Sequence, residues 1–138
     1  MRIALRLLSV VVAGTLTLDG WRPLAASASG TRVVQESGTN QNLYGVSIVD
    51  ANTAWVVGQS GTILKTTDGG KTWASQNSGT STNLKDVAAV DANTAWAVGQ
   101  SGIRLRTTDG GKTWVSLTNF FLSAGLEGVA GIDSETAW

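Results

Sequence analysis

The octapeptide TTDGGKTW occurs twice in this chain, at residues 66–73 and 107–114, and each copy carries one carboxylate, Asp68 or Asp109. A pair of carboxylates can bind calcium or act as the acid and base of glycoside hydrolysis. Acid–base catalysis, however, needs two carboxyl groups in different surroundings, so that their pKa values differ. Two identical copies do not provide that difference, and we therefore interpret the octapeptide as structural.

Composition restricts the remaining chemistry. The 138 residues include no histidine and no cysteine, which excludes Ser-His-Asp and Cys-His nucleophiles, disulfides and the usual zinc sites within this stretch. The formal net charge is zero, so the charge does not favour a nucleic acid partner. With 17 glycines and six tryptophans, the sequence indicates turns and large packing anchors rather than helices. We predict neither a cofactor nor a bound metal.

The octapeptide is part of a longer internal repeat. Residues 42–73 align without gaps to residues 83–114, with 24 of 32 positions identical, and a third copy begins at residue 125. The second unit divides into four short β segments, predicted at 84–90, 94–99, 103–108 and 112–117, each ended by glycine, aspartate or asparagine. Four strands in a repeat of about 40 residues are typical of a β-propeller blade. We predict an all-β, incomplete propeller of four-stranded antiparallel blades.

The octapeptide then falls on the hairpin between the third and fourth strands of a blade and matches the Asp-box pattern. The carboxylate is expected to accept N–H groups of its own turn, the glycines to permit positive φ angles, and the tryptophan to pack between neighbouring sheets. The residues assigned this structural role are Thr66, Asp68, Gly70, Thr72, Trp73, Thr107, Asp109, Gly111, Thr113 and Trp114.

The two ends of the chain predict a leader and an incomplete ring. Residues 1–28 combine Arg2 and Arg6, an apolar run and a small-residue cleavage site, which indicates a signal peptide. We expect an exported protein, periplasmic or extracellular, with no stable membrane span after cleavage. Residues 29–138 form the propeller part, with an orphan fourth strand at 31–41, blade 1 at 42–82, blade 2 at 83–124 and the start of blade 3 at 125–138. We expect the N-terminal piece of a longer protein; the alternative is self-assembly of short chains into one ring.

Strand order determines which loops share a rim. The Asp-box hairpins lie on one rim, and the blade-to-blade connections lie on the other, which is the usual ligand side of such folds. Equivalent positions on that second rim differ between the repeats, as a binding site built from non-equivalent blades requires, although an unconstrained solvated surface varies as well. The candidate partner-binding residues are Tyr44, Lys85, Asp86, Phe120, Phe121 and Glu127.

The segment WVVGQSGTILKTTDGGKTW and its second copy resemble bacterial neuraminidase (Asp-box) repeats. More closely, they are similar to the propeller family named for the photosystem II assembly and stability factor. The resemblance extends over about residues 31–138. It implies a non-enzymatic propeller that, in photosynthetic cells, assists an early photosystem II intermediate through a basic surface. Photosynthetic bacterial members are typically lipoproteins, whereas this chain has no cysteine to carry a lipid.

Two classes of function follow. The first is an exported, non-enzymatic module that binds a protein and assists assembly. The second is the opening segment of an Asp-box glycoside hydrolase, sialidase-like or xyloglucan-degrading, with a carbohydrate ligand. A sialidase requires an arginine cluster, a tyrosine nucleophile and an acid. Tyr44 with the two arginines of one strand, Arg104 and Arg106, does not make up that set.

Overall fold

Two four-stranded sheets make up most of the part of the chain that the structure describes. The computed structural model describes residues 35–117 and 125–130. The first sheet, blade 1, consists of β1 (Leu43–Ile48), β2 (Ala54–Gly58), β3 (Ile63–Thr66) and β4 (Ala74–Gln76). The second, blade 2, consists of β5 (Leu84–Ala89), β6 (Ala95–Gly99), β7 (Arg104–Thr107) and β8 (Val115–Ser116). Strands pair antiparallel in chain order in both sheets, so the predicted all-β blade architecture is confirmed.

Strand boundaries follow the turn residues closely, with one difference. The first three strands of blade 2 lie within one residue of their predicted ends, but β8 begins three residues later than predicted. The reason is the Asp-box turn, in which Gly110 and Gly111 both have positive φ angles and which holds the chain through Thr113. The fourth strand can therefore pair with β7 only from Val115 onward.

The hydrophobic core lies between the two blades. One face of blade 1 contributes Trp55, Val57 and Ile63, all fully buried. The facing surface of blade 2 contributes its own buried side chains, Leu84, Val87, Ala95, Ala97 and Leu105. Each sheet thus buries a face against its neighbour, because burial of apolar surface is the main source of stability between stacked sheets. We call the face of a blade that points to the next blade its trailing face, and the opposite one its leading face.

Short segments flank the two blades. Residues 35–41 carry no strand, and the rest of the fourth strand predicted at 31–41 lies outside the described residues. Gln35 nevertheless donates from Nε2 to the carbonyl of Gly69 at 3.2 Å. At the other end, residues 125–130 lie against blade 2, with the amide of Leu126 bonded to the carbonyl of Gly99 at 2.9 Å. Within the described ranges, the structure contains no helix long and apolar enough to cross a membrane.

Candidate functional site

Each Asp-box is a closed hydrogen-bonded turn. In blade 1 the carboxylate of Asp68 accepts the amide of Thr72 at 2.9 Å on one oxygen and the hydroxyl of Thr72 at 2.6 Å on the other. The hydroxyl of Thr66 donates to the same carboxylate at 2.8 Å and accepts the amide of Gly70 at 2.9 Å. The side chains of Thr66 and Asp68 thereby hold the strand end, the glycine turn and the start of the next segment together.

Blade 2 repeats this arrangement almost without change. Asp109 accepts the amide and the hydroxyl of Thr113 at 2.9 and 2.5 Å, and the hydroxyl of Thr107 donates to it at 2.9 Å. Hydrogen bonds to the charged form lower a carboxyl pKa. The hydrogen bond from the Thr72 hydroxyl is the largest cause of the lowered pKa of Asp68, and the bond from the Thr113 hydroxyl is the largest cause for Asp109. The pKa of each carboxyl group falls to about 2.

These carboxylates are poorly suited to catalysis. A general acid must hold a proton near neutral pH, and a carboxyl group with a pKa of about 2 does not. Both oxygens of Asp68 and Asp109 are already engaged within their own turns. The described part of the chain also contains no group of three acidic, histidine or cysteine side chains that could hold a metal ion.

The Asp-box of blade 2 connects that blade to blade 1. Trp114 packs edge-on against Trp55, with ring centroids 5.6 Å apart and an interplanar angle of 88°. Gly111 lies so close to the same ring that a Cβ atom would approach Cζ3 of Trp55 to 2.8 Å. A glycine is therefore required there for close contact between blades as well as for its φ of +90°.

A lysine also joins the two blades on the side of the structure where the Asp-boxes lie. We call this side, made of the turns at 50–53, 67–72, 91–94 and 108–113, the Asp-box rim. Lys65 of β3 donates to the carbonyls of Ala92 and Gly110 in blade 2, at 2.7 and 3.1 Å, and its ammonium lies 4.4 Å from the centroid of the Trp55 ring. Desolvation by the surrounding protein lowers the pKa of Lys65. This contact was not predictable from the repeat, because lysines on strands are usually solvated.

The opposite side holds three of the candidate partner-binding residues, Tyr44, Lys85 and Glu127. We call it the connection rim; it comprises residues 42–44, 59–61, 77–85, 100–102 and 125–127. Tyr44 is 44% exposed, and the ammonium of Lys85 lies 4.8 Å from the centroid of its ring. Glu127 is exposed on the third repeat. These three residues occupy one equivalent position in successive repeats, so an aromatic, a cationic and an anionic side chain follow one another around this rim.

The three remaining candidate partner-binding residues are not on this rim as defined here or lie outside the described residues. One carboxylate oxygen of Asp86 accepts the amide of Val129 at 2.9 Å, and the other accepts the amide of Val87 at 2.9 Å. Asp86 therefore joins blade 2 to the third repeat. Phe120 and Phe121 lie outside the described residues.

One contact on the connection rim was missed by sequence reasoning. Ser60 and Ser101 have left-handed backbone conformations, with φ angles of 57° and 56°. The side chain of Asn83, from blade 2, accepts the amide of Ser60 at 2.9 Å. The third repeat has Gly125 where the first two have Asn42 and Asn83. Recurrence of the asparagine was the only available signal, and it did not show that the bond crosses between blades.

Sheets of this order, stacked through Asp-box hairpins, define a propeller protein of the Asp-box class. The chain belongs to the family described as photosynthesis system II assembly factor YCF48, whose model matches residues 25–130. This agrees with the family resemblance of the repeat.

Two solved structures are similar to the chain. The structure of "YCF48 bound to D1 peptide" matches with a TM-score of 0.63 and 27% identity, over 72% of this chain and 34% of that one. YCF48 from Cyanidioschyzon merolae matches with a TM-score of 0.61 and 28% identity, over 72% and 34%. The chain thus spans about a third of the length of these relatives. A comparison with curated proteins found no match.

Proposed function

We propose that this chain is an exported, non-enzymatic propeller segment that binds a protein partner through its connection rim. The observation that carries the proposal is the contrast between the rims. On the Asp-box rim, equivalent residues are identical in both blades, and the carboxylates of Asp68 and Asp109 accept hydrogen bonds within their own turns. On the connection rim, the residues at one equivalent position, Tyr44, Lys85 and Glu127, differ in chemistry and are at least partly accessible.

The family supports a protein as the partner. A relative has been solved with a D1 peptide bound to it. On this chain Tyr44 and Lys85 together offer an aromatic face and a cation, and Glu127 adds an anion on the next repeat. Such a row suits a peptide that carries an acidic side chain and a basic one on neighbouring residues, since opposite charges across an interface select the binding register.

The test is a calorimetric titration of the full chain with the D1 peptide as the probe. We expect Lys85→Glu to weaken binding at least tenfold. Lys71→Glu makes the same change of charge on the Asp-box rim and should leave the affinity within about twofold. Equal effects of the two variants would show only a dependence on net charge and would contradict the assignment of the site.

Export and the absence of catalysis are tested separately. Mass spectrometry of the secreted protein should find an N-terminus close to residue 29, as the signal pattern predicts. Hydrolysis of a sialoside or of xyloglucan by the chain, with loss of that activity in Asp109→Asn, would instead support the glycoside hydrolase alternative.

A further inference from the structure

The boundary between blade 1 and blade 2 contains one hydrogen bond from a backbone amide to an asparagine side chain. The side-chain oxygen of Asn83, just before β5, accepts the amide of Ser60 at 2.9 Å. Ser60 has a left-handed conformation, with φ of 57° and ψ of 35°, and in it the amide faces the next blade. Asn83 therefore supplies the acceptor that this backbone N–H group requires.

The same turn recurs in blade 2 without its acceptor. Ser101 has φ of 56° and ψ of 27°, so the backbone holds its amide in nearly the same way as that of Ser60. The residue equivalent to Asn83 in the third repeat is Gly125, which has no side chain to offer. Within residues 35–117 and 125–130, the amide of Ser101 has no hydrogen-bond acceptor.

The third repeat nevertheless packs closely on the trailing face of blade 2. The amide of Leu126 donates to the carbonyl of Gly99 at 2.9 Å, and the amide of Val129 donates to the carboxylate of Asp86 at 2.9 Å. These two bonds hold the segment 125–130 beside the turn of Ser101. The acceptor is therefore missing because position 125 lacks a side chain, although the segment that would carry it is in place.

A space remains where that side chain would be. A Cβ atom on Gly125 would lie 3.9 Å from Cα of Gln100 and 3.8 Å from Oε1 of Glu127, which are ordinary contact distances. Gln100, Ser101, Gly125 and Glu127 are all exposed, so the space is open to solvent on the connection rim. We call this space, bounded by these four residues, the rim notch.

The rim notch combines a fixed donor with a charged acceptor. The amide of Ser101 donates, and the carboxylate of Glu127 accepts. A second carboxylate in the notch would be repelled by Glu127, and an ammonium group cannot accept a hydrogen bond from Ser101. A primary amide carries both a carbonyl oxygen and N–H donors on one planar group, and Asn83 shows that such a group fits this type of turn.

We propose that the rim notch is a subsite for the side-chain amide of an asparagine or glutamine of the peptide partner. The carbonyl oxygen of this amide accepts the amide of Ser101, and its NH2 group donates to Glu127. The second oxygen of Glu127 stays available for a basic side chain of the same peptide. The subsite rests on the function proposed above, because it adds a neutral contact beside the charged row of the connection rim.

The experiment titrates the isotope-labelled full chain with N-acetylasparagine methylamide and follows the backbone amide signals by NMR. The signal of Ser101 should shift and saturate, with a dissociation constant in the millimolar range that is usual for so small a probe. The signal of Ser60 is the matched control and should not shift, because Asn83 already occupies that amide. N-acetylaspartate methylamide should bind at least about threefold more weakly because of Glu127, and Glu127→Gln should remove this difference.

Two substitutions at one position separate filling of the notch from a general disturbance. Gly125 does not have a positive φ angle, so both alanine and asparagine can replace it without backbone strain. Gly125→Asn should place its own side chain on Ser101 and abolish the shift caused by the asparagine probe. Gly125→Ala supplies no acceptor and should bind the probe within about twofold of the unchanged chain.

Three results would overturn the subsite. These are a Ser101 signal that does not move with the asparagine probe, an equal shift at Ser60, or unchanged binding in Gly125→Asn. The probe titration does not require the D1 peptide, so the two proposals can fail separately. A chain that binds the probe at Ser101 but not the D1 peptide would contradict the proposed function, whereas a chain that binds only the D1 peptide would contradict the subsite.

Discussion

The contact between Trp55 and Trp114 predicts an energetic coupling between the blades. Trp55 is fully buried and Trp114 meets it edge-on at 5.6 Å, although the two residues belong to different sheets. Such aromatic pairs contribute about 0.5–1.5 kcal/mol beyond the area they bury. Replacing Trp55 by leucine should lower the free energy of unfolding by less than the roughly 3–5 kcal/mol of truncation to alanine.

A double-mutant cycle measures the coupling directly. The variants are Trp55→Leu, Trp114→Leu and the combination, and the measured quantity is the free energy of unfolding in urea. We expect the combined loss to be smaller than the sum of the single losses by about 0.5–1.5 kcal/mol. The contact of Lys65 with Trp55 is lost in every variant that lacks Trp55, so to first order it cancels in the cycle.

Blade 1 offers a matched control. Trp73 occupies the position in the first Asp-box that Trp114 occupies in the second, but it makes no ring contact with Trp55 among the described residues. A cycle of Trp55→Leu with Trp73→Leu should therefore be additive within about 0.5 kcal/mol. If both cycles gave the same coupling, or if neither did, the Asp-box tryptophan would not be the link between blades and this reasoning would be refuted.

Three further predictions concern the turns. Asp68 and Asp109 have pKa values of about 2 in the fold against an ordinary 3.8, so the unfolded chain binds more protons. The contribution of the two carboxylates to the unfolding free energy is complete above about pH 4 and should disappear towards pH 2. The double variant Asp68→Asn with Asp109→Asn should therefore show a smaller slope of unfolding free energy with pH. Gly125→Asn should cap the amide of Ser101 and raise the unfolding free energy by about 0.5–1.5 kcal/mol, whereas Gly125→Ala should not. Lys65→Met should lower the unfolding free energy by about 1–2 kcal/mol through loss of its carbonyl contacts, and Lys65→Arg, which keeps the charge, should lose less; equal losses would contradict the contact.

The repeat made the fold predictable to a large extent. Glycine, aspartate and asparagine mark every turn, and apolar segments between them determine the strands, so the sheets could be placed to within a few residues. The role of Asp68 within its own turn also followed from its short side chain and the adjacent glycines. Local sequence carries this information because the hydrogen bonds concerned connect residues four positions apart.

Contacts between blades were not predictable in the same way. Lys65 contacts Ala92 and Gly110 across the interface, and Asn83 contacts Ser60. Whether these residues meet depends on how one sheet stacks on the next. A repeat shows that a residue recurs, but it does not show whether its partner lies in the same unit or the next one. The exposure of Val46 and Ile48 in β1, 44% and 57%, was also not predictable, since valine and isoleucine are expected to be buried in a strand.

The central claim is that partner binding belongs to the connection rim and structural support to the Asp-boxes. The most direct measurement is a calorimetric comparison of Lys85→Glu and Asp109→Asn in their affinity for the peptide probe, together with their unfolding free energies. We predict that Lys85→Glu loses at least tenfold in affinity with unchanged stability, and that Asp109→Asn loses stability with affinity unchanged at temperatures where it is folded. The reverse pattern, with binding lost in Asp109→Asn at unaltered stability, would contradict the claim.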